Sequence, residues 1–327
     1  MRVNFSIFAI FTLLVCLSVT SQSQRRPGRL PVSFRSEQQV QNSHAPTTTF
    51  AFGMIDYPNS PQTVAQGINK KGEIVGSWGA EINNYAQGLP AYGFSLKGST
   101  FKKIVYPSAP ITVPFGVSSS GEIVGYYSLD PEDESGHGFT LIGKTFATVD
   151  YAGAQYTELL GINKGGQILA QACFSGEYYC RTYLFQKGTF SSQILYPGSA
   201  GSPAWGINDA GEVVGYYSDD GATYHGYTYS GGTFTNLDYP GAVDTYLYGI
   251  NNSGQIVGAW GDATFDKWGN EITHGFLLDN GTLTSFDLPY AGIDSVLPYA
   301  VNDSGVIVGQ TIDANDMFLG FEATTGN

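Results

Sequence analysis

Positively charged residues are scarce in this chain of 327 residues, which has 15 lysines and arginines against 28 aspartates and glutamates and a formal net charge of −13. The first 45 residues hold five arginines and a single acid, Glu37, so the rest of the chain carries a net charge of about −17. Because nucleic-acid binding needs clustered cations, nucleic acid is excluded as an expected partner. Arg181 is the only arginine of the remainder, which also excludes sialidase-like chemistry, where several arginines clamp a substrate carboxylate.

Cysteine is also rare, with three residues. Cys16 lies in the hydrophobic N-terminal stretch, and Val15 before it is larger than the small residue that a lipoprotein acceptor site requires. Cys173 and Cys180 flank residues 174–179, between the second and third predicted strands of one repeat. In an oxidising compartment this spacing predicts a disulfide, and a reactive thiol is the alternative.

Long helical periodicity is absent after residue 20, whereas 43 glycines and 14% aromatic residues are typical of many short strands joined by glycine turns. One motif recurs along the chain: a Gly-hydrophobic-Asn triplet or a close variant, a turn ending in glycine, an aliphatic pair and another glycine. Its copies begin 43 to 51 residues apart, at Gly67, Gly116, Gly161, Gly206, Gly249 and Ala300. A period of this length is typical of a four-stranded unit such as a propeller blade.

Each repeat continues with a third-strand motif of the His-Gly-Phe type and a fourth strand that ends in an Asp-Tyr-Pro type signal. The sixth repeat reaches Gly320 and Phe321 with no fourth strand after it, while residues 50–58 carry a fourth-strand signature ahead of the first repeat. The sequence therefore predicts an all-β fold, a six-bladed β-propeller of four-stranded blades. We expect the N-terminal strand to complete the last blade and close the ring.

The domain organisation follows from composition. Residues 1–24 combine Arg2, an apolar run over residues 5–19 and small or polar residues, which predicts a secretory signal peptide. Residues 25–48, rich in Arg, Gln, Pro and Ser, predict a flexible arm, residues 49–323 the propeller and residues 324–327 a tail. With no second hydrophobic segment, no transmembrane span is expected. We expect a secreted, extracellular monomer, with a periplasmic or surface-attached location as the alternative.

The motifs Gly-Ile-Asn-x-x-Gly-x-Ile-Val-Gly and His-Gly-Phe together resemble the HAF-type extracellular repeat proteins, a bacterial group named for the third-strand motif. The resemblance covers residues 50–323. Copies depart from the pattern where Ser118 replaces Asn, Ala170 replaces Gly, and Tyr92, Tyr183 and Leu319 replace His. The resemblance implies an extracellular repeat domain. It brings no established reaction or ligand, so no catalytic residue is carried over.

The polar residues of the repeats are predicted to be structural, because an active site needs one constellation rather than one in every repeat. The motif asparagines each begin an Asn-x-x-Gly turn, in which the side chain hydrogen-bonds the backbone two residues on. They are Asn69, Asn163, Asn208, Asn251 and Asn302.

Three histidines occupy equivalent positions in different repeats, which holds them apart and argues against a shared metal. We expect each to bond the fourth-strand aspartate of its own blade. The predicted pairs are His137 with Asp150, His225 with Asp238, and His274 with Asp287.

Function is expected at the variable loops, which lie on one rim of the predicted propeller, around the mouth of the channel. Aromatic residues suited to stacking on sugar faces are Trp205, Tyr246, Tyr248, Tyr299 and Trp268. Packing between blades is the alternative for Trp205, Tyr248 and Tyr299, each of which precedes a first-strand Gly or Ala. Acids suited to calcium, or otherwise merely solvated, are Asp130, Glu132, Asp133, Asp219, Asp220, Asp262 and Asp266. No complete calcium-loop pattern is present, and no other cofactor is predicted.

We therefore expect a binding or surface-interaction module whose partner is a glycan or a cell surface. One alternative is a glycoside hydrolase or lyase at the channel mouth, which needs paired carboxylates. The candidate acids for it are Glu158, Asp244 and Asp294. The other alternative is a purely structural extracellular protein, and on the leading interpretation no residue is catalytic.

Overall fold

The computed structural model describes residues 49–80, 90–130, 135–267, 269–290, 292–315 and 317–326. Every regular element in these ranges is a β-strand. The chain is an all-β propeller, as the repeats predict. Within the same ranges there is no helix long and apolar enough to cross a membrane.

The strands follow the repeat period closely. In chain order the first half is β1 (Thr49–Ile55), β2 (Gln62–Ile68), β3 (Ile74–Gly79), β4 (Ala91–Lys97), β5 (Thr100–Ile104), β6 (Ile111–Val117), β7 (Ile123–Ser128), β8 (His137–Ile142), β9 (Thr145–Val149), β10 (Tyr156–Ile162), β11 (Ile168–Cys173) and β12 (Arg181–Gln186). The second half is β13 (Thr189–Phe190), β14 (Ala204–Ile207), β15 (Val213–Tyr217), β16 (His225–Ser230), β17 (Thr233–Asn236), β18 (Asp244–Ile250), β19 (Ile256–Phe265), β20 (Glu271–Asp279), β21 (Thr282–Phe286), β22 (Ile293–Val301), β23 (Val306–Asp313) and β24 (Phe318–Gly326). Strand β2 and every fourth strand after it end at the first two residues of a copy of the repeat motif.

The described strands form four four-stranded sheets and one eight-stranded sheet. The four-stranded sheets are β10 to β13, β14 to β17, β18 to β21, and β22 to β24 with β1. Strands β2 to β9 form the larger sheet, in which two four-strand runs meet at a single parallel bridge between Ala91 and Ile111. The sequence predicted separate blades here, and this one bridge between neighbouring third and first strands is what joins them.

The N-terminal strand pairs with the C-terminal one. β1 runs antiparallel to β24, from Thr49 opposite Gly326 to Ile55 opposite Gly320. Residues 324–326 were predicted to be a tail and instead continue β24, because Thr324 and Thr325 pair with Ala51 and Phe50.

Glycine is required in the repeat motif where backbones of neighbouring repeats meet. A Cβ at Gly67 would lie 2.4 Å from the carbonyl oxygen of Phe115 in the next repeat. A Cβ at Gly76, on the second strand, would lie 2.9 Å from the ring of Phe94. The motif glycines therefore let inner strands approach one another and leave room for the third-strand aromatic.

The aromatic of the third-strand motif belongs to the hydrophobic core between sheets, in five separate clusters of buried residues. Five of these side chains are fully buried, at 0% exposure: Phe94, Phe139, Tyr227, Phe276 and Phe321. Burying a side chain of this size stabilises the fold by roughly 2–3 kcal/mol, so the repeat sequence directly specifies the packing between sheets.

A second aromatic contact joins consecutive repeats. The tyrosine of the Asp-Tyr-Pro signal stacks on an aromatic at the end of the following repeat's second strand, as Tyr57 does on Trp78 with 4.1 Å between ring centroids and 4° between planes. The same stacking joins Tyr106 to Tyr127, Tyr196 to Tyr217 and Tyr239 to Trp260. The amide of Tyr57 also donates to Thr63 Oγ1 at 2.9 Å. Each stack contributes about 0.5–1.5 kcal/mol beyond burial.

Candidate functional site

The motif asparagines have the predicted turn role. Asn251 Oδ1 accepts hydrogen bonds from the amides of Ser253 at 3.0 Å and Gln255 at 2.9 Å. A contact that the sequence does not reveal comes from the other side-chain atom: Asn251 Nδ2 donates to the carbonyl oxygen of Asn302, in the next repeat, at 2.9 Å. The motif asparagines therefore stabilise each turn and also hydrogen-bond it to the turn of the next repeat.

The predicted histidine–aspartate pairs are confirmed. His137 bonds Asp150 at 2.9 Å, and the other pairs, at 3.0 and 2.9 Å, are His225 with Asp238 and His274 with Asp287. In the first repeat Tyr92 replaces His and Val105 occupies the aspartate position, and Lys103 Nζ lies 3.5 Å from the centroid of the Tyr92 ring.

The predicted calcium ligands do not converge. Asp220 Oδ1 accepts the amides of Ala222 at 2.8 Å and Thr223 at 2.9 Å, and these bonds lower the pKa of Asp220. Asp262 and Asp266 bond their own loops in the same way, while Asp130 and Asp219 are exposed. Glu132 and Asp133 lie outside the described residues. Among the residues that the structure describes, no group of three or more His, Cys, Asp or Glu side chains is placed to hold a metal ion.

The predicted aromatic platform is instead interior packing. Tyr248 and Tyr299 are 4% and 7% exposed, and with Trp205 they surround a cavity of about 40 Å³ in the channel. Tyr246, 4% exposed, packs edge-on against Tyr216 with 5.0 Å between centroids. Trp268 lies outside the described residues. For Trp205, Tyr248 and Tyr299 the arrangement is the packing alternative that the sequence left open, since each precedes a motif Gly or Ala and lines the channel cavity.

The candidate catalytic acids lie on different strands, Glu158 on β10, Asp244 on β18 and Asp294 on β22. Glu158 is 1% exposed, and burial raises its pKa to about 8. Asp294 lies elsewhere, half-buried at the start of β22. None of Glu158, Asp294 and Asp244 is among the residues that line the rim groove or the two channel cavities described below.

Asp244 has a partner that the sequence analysis missed, Glu271. The two side chains are hydrogen-bonded to each other, and burial raises both pKa values, that of Glu271 to about 8 with the charge of Asp244 as the second cause. Asp244 Oδ1 also accepts the amide of Tyr224 at 2.7 Å. Glycosidases need two carboxyl groups roughly 5–10 Å apart, so this direct contact leaves no space for a sugar between them.

A groove of about 830 Å³ lies on the variable rim, between the third and fourth repeats. We call it the rim groove, and it is lined by Glu177, Tyr178, Tyr179, Cys180, Arg181, Gln193, Leu195, Ala200, Gly201 and Gly221. Three variable loops supply all of these residues except Arg181, which is the first residue of β12: 174–180 and 191–203 of the third repeat, and 218–224 of the fourth. Its volume lies in the range of small-molecule sites, roughly 300–1,000 Å³.

The first loop of the rim groove is fixed by the predicted disulfide, which is confirmed. Cys173, at the end of β11, is bonded to Cys180, just before β12, and closes the loop 174–179. By the chain-entropy estimate a loop this short adds about 2–3 kcal/mol of stability. Gly201 makes room for the same loop, since a Cβ there would lie 2.3 Å from the ring of Tyr179.

Arg181 supplies the charged end of the rim groove. Its guanidinium forms a two-bond pair with Glu177, in which Nε donates to Oε2 at 2.9 Å and Nη2 donates to Oε1. The guanidinium carbon lies 4.6 Å from the centroid of the Phe174 ring. Stacking and pairing together hold a planar set of N–H donors at the wall of the groove.

Tyr178 supplies an exposed aromatic surface. It is 59% exposed and packs edge-on against Tyr179, with 4.7 Å between ring centroids. Leu195 opposite is 41% exposed. The rim groove thus combines apolar surface with a fixed guanidinium and carboxylate. One sequence signal could have located the rim groove: the single arginine after residue 35 directly follows the second cysteine of the disulfide.

Comparisons with known proteins bear on the fold alone. No protein-family model and no curated protein matches the chain. Among solved structures it is similar to the SapL1 lectin in complex with alpha methyl fucoside, with 13% identity, a TM-score of 0.52 and coverage of 82% of this chain and 94% of that one. It is also similar to a mutant of AofleA from Arthrobotrys oligospora, with 12% identity, a TM-score of 0.51 and coverage of 84% and 86%. TolB from Acinetobacter baumannii gives 13% identity, a TM-score of 0.51 and coverage of 78% and 64%.

Proposed function

We propose that this protein is a carbohydrate-binding propeller and that the rim groove is its binding site. The observation that carries the proposal is the pairing of exposed Tyr178 with the fixed Arg181–Glu177 pair at the groove. A sugar has an apolar face of C–H groups and a rim of hydroxyls, so it binds best where an aromatic ring lies beside fixed donors and acceptors.

The polar half of the rim groove can serve both roles of a hydroxyl. Glu177 occupies two of the five N–H donors of the Arg181 guanidinium. The Glu177 oxygens retain lone pairs as acceptors, and Gln193 adds an amide to the lining. Because the disulfide already holds the loop in the free protein, glycan binding loses little conformational entropy of the loop.

The electrostatics favour a neutral glycan. The charge of Arg181 is already balanced by Glu177, and residues 46–327 carry a net charge of about −17. An acidic glycan would meet repulsion and would have to displace Glu177 to reach the guanidinium. The SapL1 lectin structure is a complex with alpha methyl fucoside, a neutral sugar, and this compound is the first probe.

We further propose one glycan site per chain. The rim groove depends on features that occur once, since Arg181 is the only arginine after residue 35 and Cys173–Cys180 is the one disulfide of the described residues. Propeller repeats elsewhere in the chain lack both features. A monomer of this kind would bind sugar without cross-linking glycan-bearing cells.

The test is a glycan panel followed by titration calorimetry on residues 25–327, starting with methyl fucoside and neutral oligosaccharides. Tyr178→Ala is expected to weaken binding at least about tenfold, with a stoichiometry near one for the unmodified protein. Phe265→Ala is the matched control, because Phe265 is also 59% exposed but lies on the β19–β20 hairpin. Equal binding by both variants, or no binding to any neutral glycan, would reject the site. Addition of a calcium chelator is expected to leave binding unchanged.

The architecture and location belong to the same proposal. We propose six blades, with β1 closing the ring. This is supported by the β1–β24 pairing and by the six equivalent residues that line one channel cavity, namely Ile68, Val117, Ile162, Ile207, Ile250 and Val301. We propose that the protein is a secreted HAF-type repeat protein, as the motifs and the disulfide suggest. Cleavage near residue 24, read from the N-terminus of the exported protein, tests secretion.

A further inference from the structure

The channel contains a small cavity of about 40 Å³. Each repeat contributes one side chain to it, from the position directly before the motif Gly or Ala. These side chains are Gln66, Phe115, Leu160, Trp205, Tyr248 and Tyr299.

Three of these side chains carry buried polar atoms that have no hydrogen-bond partner among the residues that the structure describes: Gln66 Oε1, Trp205 Nε1 and Tyr299 Oη. Tyr299 is 7% exposed, and burial raises the pKa of its phenol well above the ordinary value. The hydroxyl therefore stays neutral and keeps its proton. Buried polar groups left unbonded are costly, and most such groups in folded proteins are satisfied by protein or by ordered water.

The chemistry of the three atoms selects the ligand. The Trp205 indole N–H can only donate, the Gln66 carbonyl oxygen can only accept, and the Tyr299 hydroxyl can do both. A metal ion would need acceptors alone, and an anion would need donors alone. Water both donates and accepts, and about 10–15 Å³ is enough to hold one molecule.

We propose that this cavity is a binding site for two or three ordered water molecules, which bridge Gln66, Trp205 and Tyr299 at the centre of the channel. The water would give all three groups a partner without any side chain having to reach across the channel. On this assignment the polar residues at the channel centre are part of the packing between repeats and take no part in glycan recognition. The inference is independent of the proposed function.

Tyr299→Phe tests the proposal through the sign of its effect. If water bonds the hydroxyl, removing it breaks a hydrogen bond, and the melting temperature is expected to fall by about 2–4 °C. If the cavity is dry, the same change deletes an unbonded buried hydroxyl, and the melting temperature rises.

Tyr227→Phe calibrates the size of the effect, since the Tyr227 hydroxyl donates to the Ser202 carbonyl oxygen at 3.0 Å and is buried. The melting temperature of Tyr227→Phe is expected to fall whether or not the channel cavity holds water. A crystal structure at high resolution should show ordered density within hydrogen-bond distance of Tyr299 Oη. Either a melting temperature for Tyr299→Phe that is unchanged or raised, or an empty cavity in that density, would overturn the proposal.

Discussion

The side chain of Asn302 donates from Nδ2 to the carbonyl oxygen of Asn69, at 3.2 Å and 233 residues away along the chain. This bond joins the last repeat to the first. The same bond runs from Asn163 to Asn208, from Asn208 to Asn251 and from Asn251 to Asn302. The motif asparagine, which the turn requires, therefore also connects neighbouring repeats around the channel.

One position in this series lacks the donor. Asn69 Nδ2 donates to the carbonyl oxygen of Ser118 at 2.9 Å, but the Ser118 side chain has no amide group with which to continue to Asn163. Ser118 Oγ retains the turn role, since it accepts the amide of Glu122 at 3.0 Å. The second and third repeats are therefore joined by one hydrogen bond fewer at this level.

Ser118→Asn should supply that bond and stabilise the protein. An added neutral hydrogen bond is worth about 0.5–1.5 kcal/mol, so the free energy of unfolding in urea is expected to rise by about 1 kcal/mol. Asn251→Ser is the reverse change and should cost a similar amount, because Asn302 loses its donor while the turn keeps an oxygen acceptor. A Ser118→Asn variant no more stable than the parent would contradict this role for the asparagines.

Much of the scaffold was predictable because it repeats. The Asn turns, the histidine–aspartate pairs and the disulfide each involve residues at most 13 positions apart, within reach of a local pattern. The stacking of Tyr57 on Trp78 was not predicted, although both residues recur, since the sequence does not show which repeat the Asp-Tyr-Pro tyrosine faces.

The rim groove was not predictable in the same way. It brings Tyr178 and Leu195 of one repeat together with Gly221 of the next, through loops that match no other copy. The sequence also left open whether the candidate aromatics face the rim or pack inside. Tyr248 and Tyr299 follow the inner-strand pattern, and the strand pleat turns them into the channel rather than onto the rim.

Stability is expected to fall as pH rises, because Glu158 has a raised pKa of about 8 in the folded protein, above its ordinary value. Between pH of about 4.5 and 8 the folded state holds a proton that the unfolded state has released, so folding is progressively penalised. Unfolding in urea at pH 5, 7 and 9 should show a loss of a few kcal/mol across this range. Glu158→Gln, neutral at every pH, should remove part of the slope and be more stable than the parent at pH 9. A parent protein that is more stable at pH 8 than at pH 5 would refute the assignment.

Loss of the disulfide should weaken glycan binding while the propeller stays folded. Replacing both Cys173 and Cys180 by serine releases the loop that carries Glu177, Tyr178 and Tyr179, and is expected to cost about 2–3 kcal/mol of stability. Calorimetry should show at least a tenfold loss of affinity while the circular dichroism spectrum is retained. Unchanged affinity after reduction would mean that the loop does not form the site.

The Asp244–Glu271 pair is expected to share a proton and to hold two repeats together. Asp244 accepts the amide of Tyr224 from the fourth repeat at 2.7 Å while bonding Glu271 in its own sheet. Asp244→Asn keeps an oxygen for Tyr224 and offers Glu271 an N–H donor, so the pKa of Glu271 should fall and the loss of stability between pH 5 and 8 should become smaller. Asp244→Ala leaves both the Tyr224 amide and Glu271 without this partner and should cost about 1–3 kcal/mol at pH 6. Proton titration of the Glu271 carboxyl by carbon NMR separates the cases. If Glu271 titrates near 4.5 in the parent protein, the shared proton does not exist and the two variants should show the same pH dependence as the parent.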